Sequence, residues 1–197
     1  AVKTDLKALD PKENLLVWFG HSSYLIQADG LRILVDPVFE TASPLPFFNR
    51  PFEGTDLYKP EDMPGIDLLV ITHDHWDHLD YGTVTKLRDR TGRVVCPLGV
   101  GEYFEYWGFD PQRITELDWG EQAALGGGFT ADGAFGVFGK QLAEGGDSLA
   151  AVVALYVGAS LLVEGIDGVG RVGIFGCKSV QHAHLFRIVF LHAIYQC

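Results

Sequence analysis

The strongest constraint in this sequence is an apolar run that leads directly into a cluster of histidines and aspartates. Residues 66–72 read IDLLVIT, which is typical of a strand buried on both faces of a sheet. Residues 73–78 then read HDHWDH, which places three imidazoles and two carboxylates at one strand end. Core packing does not require such side chains together. The pattern therefore predicts a functional site on the loop that follows this strand.

The segments around the motif predict an α/β fold class. Asp29-Gly30 is a strong hairpin signal because glycine adopts positive φ at little cost. Apolar periodicity predicts a helix over 79–90, and 99–108 reads as a short helix that ends at Gly108. Strands that alternate with helices are typical of α/β proteins. The predicted strands of this part are 15–20, 23–28, 31–37, 66–72, 93–97 and 113–118.

Residues 38–64 hold five prolines among aromatic side chains, so we expect a long surface loop rather than a regular element. Two interpretations of its aromatic residues stay open. They line a pocket for an acyl or other apolar group, or they form a small aromatic core beneath the loop. The residues concerned are Phe39, Phe47, Phe48, Phe52 and Tyr58.

Composition changes near residue 126. Residues 126–197 contain 14 of the 24 glycines but no proline and no tryptophan. We predict a single domain over 1–197, with a family-like half at 1–125 that carries the motif and an atypical, glycine-rich, low-charge half at 126–197. Core strands are expected at 150–158, 159–165 and 170–176. The uncharged stretch from Ser148 to Val163 is shorter than the roughly 18 to 20 residues that a membrane-spanning helix needs.

Charge and cysteine content exclude some classes of function. The formal net charge of −11 gives no basic surface for binding nucleic acid or an anionic membrane through bulk charge. The three cysteines, Cys96, Cys177 and Cys197, are an odd number at wide spacing, which favours free or metal-bound thiols in a reducing compartment. The first residues show no signal-peptide pattern. A cytoplasmic location is the resulting prediction.

The motif has the side chains of a metal centre. Imidazole and carboxylate are ligands that zinc and similar divalent ions prefer. A loop leaving a strand end can turn His73 and His75 toward one point and Asp77 and His78 toward another, which predicts two neighbouring metal sites. Two such metals can share a hydroxide and polarise the attacked oxygen, so hydrolysis is the expected reaction. Asp74 has two interpretations, a hydrogen-bond acceptor for a ligand imidazole or a solvated loop acid.

HDHWDH, with WFGHSSYLI and ILVDPVF before it and ITELDWGE after it, resembles the metallo-β-lactamase superfamily. The resemblance covers residues 15–122 and is closest to the branch of N-acyl-phosphatidylethanolamine phospholipase D type enzymes and related bacterial metal-dependent hydrolases. It implies an αββα sandwich of two mixed sheets. It also implies that His73 and His75 bind one metal, that Asp77 and His78 bind the other, and that Asp77 is catalytic because it orients the nucleophilic water.

The second half departs from the pattern of that superfamily. Its members have a third histidine after the motif, whereas residues 129–140 contain none. Where they have a bridging Gly-Asp pair, this chain has Gly176-Cys177, which leaves open a thiolate ligand or an ordinary cysteine. His182, His184 and His192 likewise have two interpretations, a metal ligand or an ordinary histidine. The resemblance therefore predicts a divergent or truncated second half, through loss of sequence or a change of reading frame.

Two residues upstream of the motif also have competing interpretations. His21, in GHSS, is expected either to contact the metal ligands or to make a structural hydrogen bond. Asp36 precedes Pro37, and Asp-Pro after a strand is typical of a turn rather than of a metal ligand.

The expected function is that of a metal-dependent hydrolase in which a metal-bound hydroxide attacks the substrate. The resemblance favours phosphodiester or phospholipid-like substrates and one or two Zn²⁺ ions per chain, with Mn²⁺ or iron as alternatives. Two other functions stay open, a catalytically incomplete metal-binding fragment and a non-enzymatic interaction module. A small-molecule or lipid-like partner is predicted, with no transmembrane span, and the sequence does not indicate an oligomeric state.

Overall fold

The computed structural model describes residues 3–43, 56–126, 129–132, 137–140, 152–154, 162–166, 169–173 and 187–189. The chain divides into two compact units, one formed by 1–116 with 189–197 and the other by 117–188. The strands are β1 (Leu15–Gly20), β2 (Ser23–Ala28), β3 (Leu31–Val35), β4 (Ile66–Val70), β5 (Thr91–Pro97), β6 (Ile114–Leu117), β7 (Gln122–Gly126), β8 (Phe129–Asp132), β9 (Val137–Lys140), β10 (Val152–Ala154), β11 (Leu162–Ile166), β12 (Val169–Gly173) and β13 (Arg187–Val189). The helices are α1 (Tyr81–Leu87) and α2 (Gly101–Tyr106), with 3₁₀ turns at Leu6–Ala8, Pro60–Asp62, Arg88–Arg90 and Pro111–Arg113.

The first unit is built on a mixed sheet in which the strands follow the order β1-β2-β3-β4-β5-β6. The β2–β3 hairpin turns at Asp29 and Gly30, with φ of 50° and 82°, which confirms the turn predicted there. β3 pairs with β4, and β4 with β5, in parallel, with Val35 opposite Val70 and Val70 opposite Val95. Parallel neighbours end at the same sheet edge, so the loops that follow β3 and β4 emerge side by side. The predicted α/β class is confirmed.

The core of this unit lies between the sheet and its helices. Leu34, Leu69 and Val94 are fully buried at adjacent positions of β3, β4 and β5. On the helical side, Val84 of α1 and Phe104 of α2 are also fully buried. These residues belong to one contiguous hydrophobic cluster. The apolar runs predicted as buried strands therefore form the buried sheet from which the motif loop extends.

The described aromatic residues of the proline-rich segment belong to the core. Tyr58 is 1% exposed, and its ring lies 5.1 Å from that of Phe19. Phe39 packs edge-on against the same Phe19 at 5.2 Å. For these two residues the aromatic-core interpretation is confirmed. Phe47, Phe48 and Phe52, with the rest of 44–55, lie outside the described residues.

Helix α1 begins at a carboxylate that also fastens the loop after β3. The Asp80 side chain accepts from Gly82 N at 3.1 Å and so caps the helix. Its other oxygen accepts from Glu40 N at 2.9 Å and from the Thr83 hydroxyl at 2.5 Å. Asp80 is 1% exposed, so its acceptor capacity is used entirely within the protein. The HDHWDH loop is thereby held at both ends, by β4 and by this cap.

The described residues of the second unit lie mainly in short strands. A four-stranded antiparallel sheet has the order β10-β9-β8-β7, and β11 pairs with β12 in a separate hairpin. Three apolar runs predicted as strands, 150–158, 159–165 and 170–176, overlap β10, β11 and β12, and the rest of each run lies outside the described residues. Among the described residues, no helix is both long enough and apolar enough to cross a membrane. Most of the uncharged stretch 148–163 lies outside the described part.

Cys96 is expected to be unreactive in the folded protein. It lies in β5 and is 2% exposed, and burial, together with the nearby Glu116 carboxylate, raises its pKa to about 12. Because the thiolate is the reactive form, alkylation at pH 8 should be slower by about a thousandfold than in the unfolded chain. Peptide mapping by mass spectrometry after iodoacetamide pulses, with and without urea, measures this rate for Cys96 alone. Rapid labelling in the native state would contradict this packing of β5.

Candidate metal centre

Two parallel strands bring the site together. Asp36 directly follows β3, and its amide donates to Val70 O at 3.0 Å, so it extends the pairing with β4 by one step. On the other side of β4, Ile71 N donates to Val95 O at 3.0 Å. Thr72 and the histidines that follow it therefore leave the sheet beside Asp36. Residues that are far apart in sequence meet here because β3 and β4 end together.

The Asp36 carboxylate organises the motif. Its Oδ1 accepts from Thr72 N at 2.8 Å, and its Oδ2 accepts from the Thr72 hydroxyl at 2.6 Å and from His78 Nδ1 at 2.8 Å. The side chain is 1% exposed. Its backbone has φ of 40°, a left-handed conformation that costs a non-glycine residue free energy. The Ser23 hydroxyl holds this conformation by donating to Asp36 O at 2.6 Å.

These hydrogen bonds fix the orientation of two imidazoles. Because Asp36 is an acceptor, His78 donates from Nδ1–H, and in the neutral ring its Nε2 lone pair is then free. The single hydroxyl hydrogen of Thr72 is donated to Asp36, so the 3.0 Å contact between Thr72 Oγ1 and His73 Nδ1 is a donation from the His73 ring. The Nε2 atom of His73 is then also left as an acceptor. One buried carboxylate thus presets both histidines for metal binding.

Two further side chains of the motif, His75 and Asp77, lie close to these two rings. The His73 ring centre lies 4.6 Å from that of His75 and 3.8 Å from that of His78. Asp77 Oδ2 lies 3.9 Å from His78 Nε2 and 3.0 Å from Nε2 of His21, which comes from the β1–β2 turn. His75 is exposed and the Asp77 side chain is 40% exposed, whereas that of His78 is only 11% exposed. The cluster is therefore buried where it meets the sheet and accessible to solvent on its outer side.

Local electrostatics favour the protonation states that metal ligands need. Burial and the adjacent imidazole of His78 lower the pKa of His73, which keeps that ring neutral. Burial alone would raise the pKa of Asp77, but a hydrogen bond from its own backbone amide and the imidazoles of His78 and His21 lower it overall. Neutral imidazole and ionised carboxylate are the forms that bind a cation.

The donor set fits a divalent cation. Among the described residues, one ligand atom from each of His21, Asp77 and His78 can be chosen so that all three lie within 4.8 Å of one another. Nitrogen and carboxylate oxygen donors of this kind suit zinc, iron and manganese. His73, with a free Nε2, and His75 lie next to this group. The assignment of His73, His75, Asp77 and His78 as ligands stays a proposal.

The alternating residues of the motif are exposed to solvent. Asp74 is exposed, and Trp76 is 55% exposed. The solvated interpretation of Asp74 therefore fits the structure better than a contact with a ligand imidazole. Sequence reasoning understated Asp36, which was expected only to serve a turn. The signal for Asp36 in the sequence was the similarity between ILVDP and IDLLVIT-H, two apolar strands that each end in a polar side chain.

Other candidate ligands of the sequence lie outside the described residues. These are Cys177, His182, His184 and His192. Residues 129–140, where a third histidine was expected by resemblance, supply none, and β8 and β9 lie within this range. The described part of the site is therefore formed by the first unit.

A comparison with known families decides the relationship. The model of the family described as "Beta-lactamase superfamily domain" matches residues 31–137, a stretch longer than half of the chain. The chain belongs to this superfamily. The predicted metallo-β-lactamase-type α/β fold is thereby confirmed, and the matched range includes β3, the HDHWDH loop and both helices.

Two individual proteins from other organisms are similar to this chain. An uncharacterized protein of Mycobacterium tuberculosis is 40% identical over 110 residues, which cover 55% of this chain and 30% of the relative. The N-acyl-phosphatidylethanolamine-hydrolyzing phospholipase D 1 of Caenorhabditis elegans is 30% identical over 116 residues, which cover 54% and 32%. The match thus spans less than two thirds of either relative's own length.

Among solved structures, a diiron β-hydroxylase from Streptomyces venezuelae superposes with a TM-score of 0.51 at 25% identity. The superposition covers 74% of this chain and 30% of the hydroxylase. The chain is thus similar both to a protein named as a hydrolyzing phospholipase and to a protein named as a diiron enzyme. The name of the hydroxylase specifies iron, which differs from the zinc expected here.

Proposed function

We propose that this chain is a metal-dependent hydrolase that acts on phosphodiester or phospholipid-like substrates. The observation that supports it most strongly is the buried Asp36 carboxylate, which orients His78 directly and His73 through Thr72. A carboxylate behind a ligand imidazole is a general feature of protein metal sites. Core packing alone gives no reason to hold two imidazoles with their Nε2 atoms free.

The residues have distinct roles in this proposal. His73 and His75 hold one cation, and Asp77 and His78 hold a second. A bound divalent cation supplies Lewis acidity and lowers the pKa of water, which is the chemistry that hydrolysis near neutral pH requires. Asp36 keeps the His78 proton on Nδ1 and so keeps Nε2 available. The Asp77 carboxylate, 40% exposed, offers an acceptor at the solvent face, where it can orient an attacking water.

The substrate class and the metal rest on the relatives. The name of the C. elegans relative specifies an N-acylated phospholipid, and hydrolysis there breaks a phosphodiester bond. Zinc suits the imidazole and carboxylate donors, but iron is the metal named for the S. venezuelae hydroxylase. On the basis of the donor set we propose zinc as the metal, and on the basis of the C. elegans relative we propose a phosphodiester as the scissile group. One set of measurements tests both.

The test is metal analysis combined with turnover. The full chain, purified without chelator, is analysed for zinc, iron and manganese by mass spectrometry, and hydrolysis of bis(p-nitrophenyl) phosphate and of N-acyl-phosphatidylethanolamine vesicles is measured. We expect about two ions per chain, as in binuclear hydrolases, and turnover that a chelator abolishes and zinc restores. Turnover that persists without metal, or a chain that binds no metal, would refute the proposal.

One specific observation favours a second candidate, a catalytically incomplete metal-binding fragment. The superfamily's third histidine has no counterpart in residues 129–140, so the pair His73 and His75 lacks that partner. This candidate predicts about one ion per chain and no turnover on either substrate, because the two ligand sets of a binuclear centre are then not both complete. The same metal analysis therefore separates the two candidates.

A further inference from the structure

His21 stands outside the motif but contacts it. It occupies the turn between β1 and β2, and its Nε2 lies 3.0 Å from Asp77 Oδ2. Its ring packs edge-on against His78, with 5.1 Å between ring centres. Two features of the turn hold it there. The backbone has φ of 46°, and the Trp18 indole N–H donates to His21 O at 3.0 Å. A histidine kept in a left-handed conformation at a site is a reason to ask what its side chain does.

We infer that His21 is the third protein ligand of a divalent cation held by Asp77 and His78. The inference rests on the proposed metal site and adds a ligand that the HDHWDH motif does not contain. The three ligand atoms lie within 4.8 Å of one another. Two ligands bound at about 2.1 Å in a tetrahedral site are separated by about 3.4 Å. The observed separations of 3.0 Å and 3.9 Å from Asp77 Oδ2 lie on either side of that value.

The surroundings of the three residues fit a site with one open position. His78 is fixed from behind by Asp36, so only its Nε2 faces the group. The side chains of His21 and Asp77 are 60% and 40% exposed, which leaves the fourth side to solvent. Three protein ligands and one open position form the usual arrangement of catalytic zinc. Among the described residues, this group brings three donors together without any residue from the second unit.

The competing role for His21 is a hydrogen bond from Nε2–H to Asp77, which the 3.0 Å distance also permits. Glutamine distinguishes the two roles. The amide of His21→Gln is a hydrogen-bond donor for a carboxylate, but it is a poor ligand for a borderline divalent cation. A ligand role therefore predicts that His21→Ala and His21→Gln behave alike. A hydrogen-bonding role predicts that the glutamine variant behaves like the parent protein.

The experiment is a Co²⁺ titration of the full chain, followed by visible absorption and by equilibrium dialysis. Wild-type protein should bind about two Co²⁺ ions. We expect both His21 variants to bind the second ion roughly a hundredfold more weakly, with a changed absorption spectrum, because one nitrogen donor is lost. Asp29→Ala is the matched control, since Asp29 occupies the next hairpin turn with φ of 50° and does not belong to the site.

The outcomes separate this inference from the proposed function. Parent-like affinity and spectrum in His21→Gln overturn the ligand role and assign His21 to hydrogen bonding. Parent-like binding in both variants overturns any role for His21 at the metal. Failure of the wild-type chain to bind Co²⁺ overturns the proposed metal site itself. Circular dichroism of each variant shows that the sheet has formed, so a change in Co²⁺ binding reports on the site.

Discussion

Replacing Asp36 by alanine is expected to lower both the stability of the fold and the affinity for metal. The change leaves Thr72 N–H, the Thr72 hydroxyl and His78 Nδ1–H without their acceptor at a position that is 1% exposed. Buried donors left unsatisfied cost about 1 to 3 kcal/mol each, so we expect a loss of at least about 3 kcal/mol in the free energy of unfolding. Urea denaturation of the metal-free protein measures it.

The asparagine variant separates orientation from stability. Asp36→Asn keeps the shape and one acceptor oxygen, which can still accept from Thr72 N, but its amide nitrogen cannot accept from His78 Nδ1. We expect a smaller loss of stability and a fall in Zn²⁺ or Co²⁺ affinity of about ten- to a hundredfold.

Asp67→Asn is the matched control for Asp36→Asn. Its carboxylate accepts a single backbone bond, from Arg32 N at 2.8 Å, at an exposed position of β4 away from the site. We expect it to bind metal as the parent protein does. Metal affinity that Asp36→Asn leaves unchanged would show that the histidines do not depend on this carboxylate.

The elements that were predicted well are those whose signals are local. IDLLVIT predicts β4 because apolar β-formers in a run of this length are typical of a doubly buried strand, and the structure forms Ile66–Val70 there. Gly108, with φ of 83°, ends the short helix as predicted. In each case the residue that decides the conformation lies within the segment itself, so no tertiary contact has to be known in advance.

The contacts that complete the site were not predictable in this way. Asp36 and His78 are 42 positions apart, and what joins them is the parallel pairing of β3 with β4. His21 reaches Asp77 because β2 lies beside β3 in the same sheet. A single sequence shows which strands exist but does not show their order. The HDHWDH loop was therefore recognisable as a metal motif, whereas the carboxylate that orients it was interpreted as a turn residue.

The second half was hard to interpret for a different reason. Residues 126–197 contain no proline, and glycine is spread through the apolar runs, so element boundaries have no clear markers. The run 150–158 was predicted as one strand, and its described residues form β10, Val152–Ala154. A strand end in such a segment is decided by which partner it pairs with, and that depends on the rest of the sheet.

Replacing His75 by alanine, or Asp77 by asparagine, is expected to remove metal and hydrolytic activity while the fold stays intact. Both side chains face solvent, so we expect the free energy of unfolding of the metal-free protein to change by less than about 0.5 kcal/mol. The backbone role of His75 survives the substitution, because its carbonyl oxygen still accepts from His78 N and Leu79 N. Metal affinity should fall by at least about a hundredfold, because loss of a ligand lowers the affinity more than loss of a residue that hydrogen-bonds to a ligand.

The same loop supplies the control for these variants. Asp74→Asn changes the charge exactly as Asp77→Asn does, three positions away, but Asp74 is exposed and lies between two proposed ligands without being one. If the site depends on which side chains face the cluster, Asp74→Asn keeps its metal and its turnover, and Asp77→Asn loses both. If the loop attracted cations only through its negative charge, the two asparagine variants would lose metal equally. That second result, measured by metal analysis and dialysis on the folded variants, would contradict a specific centre at His73, His75, Asp77 and His78.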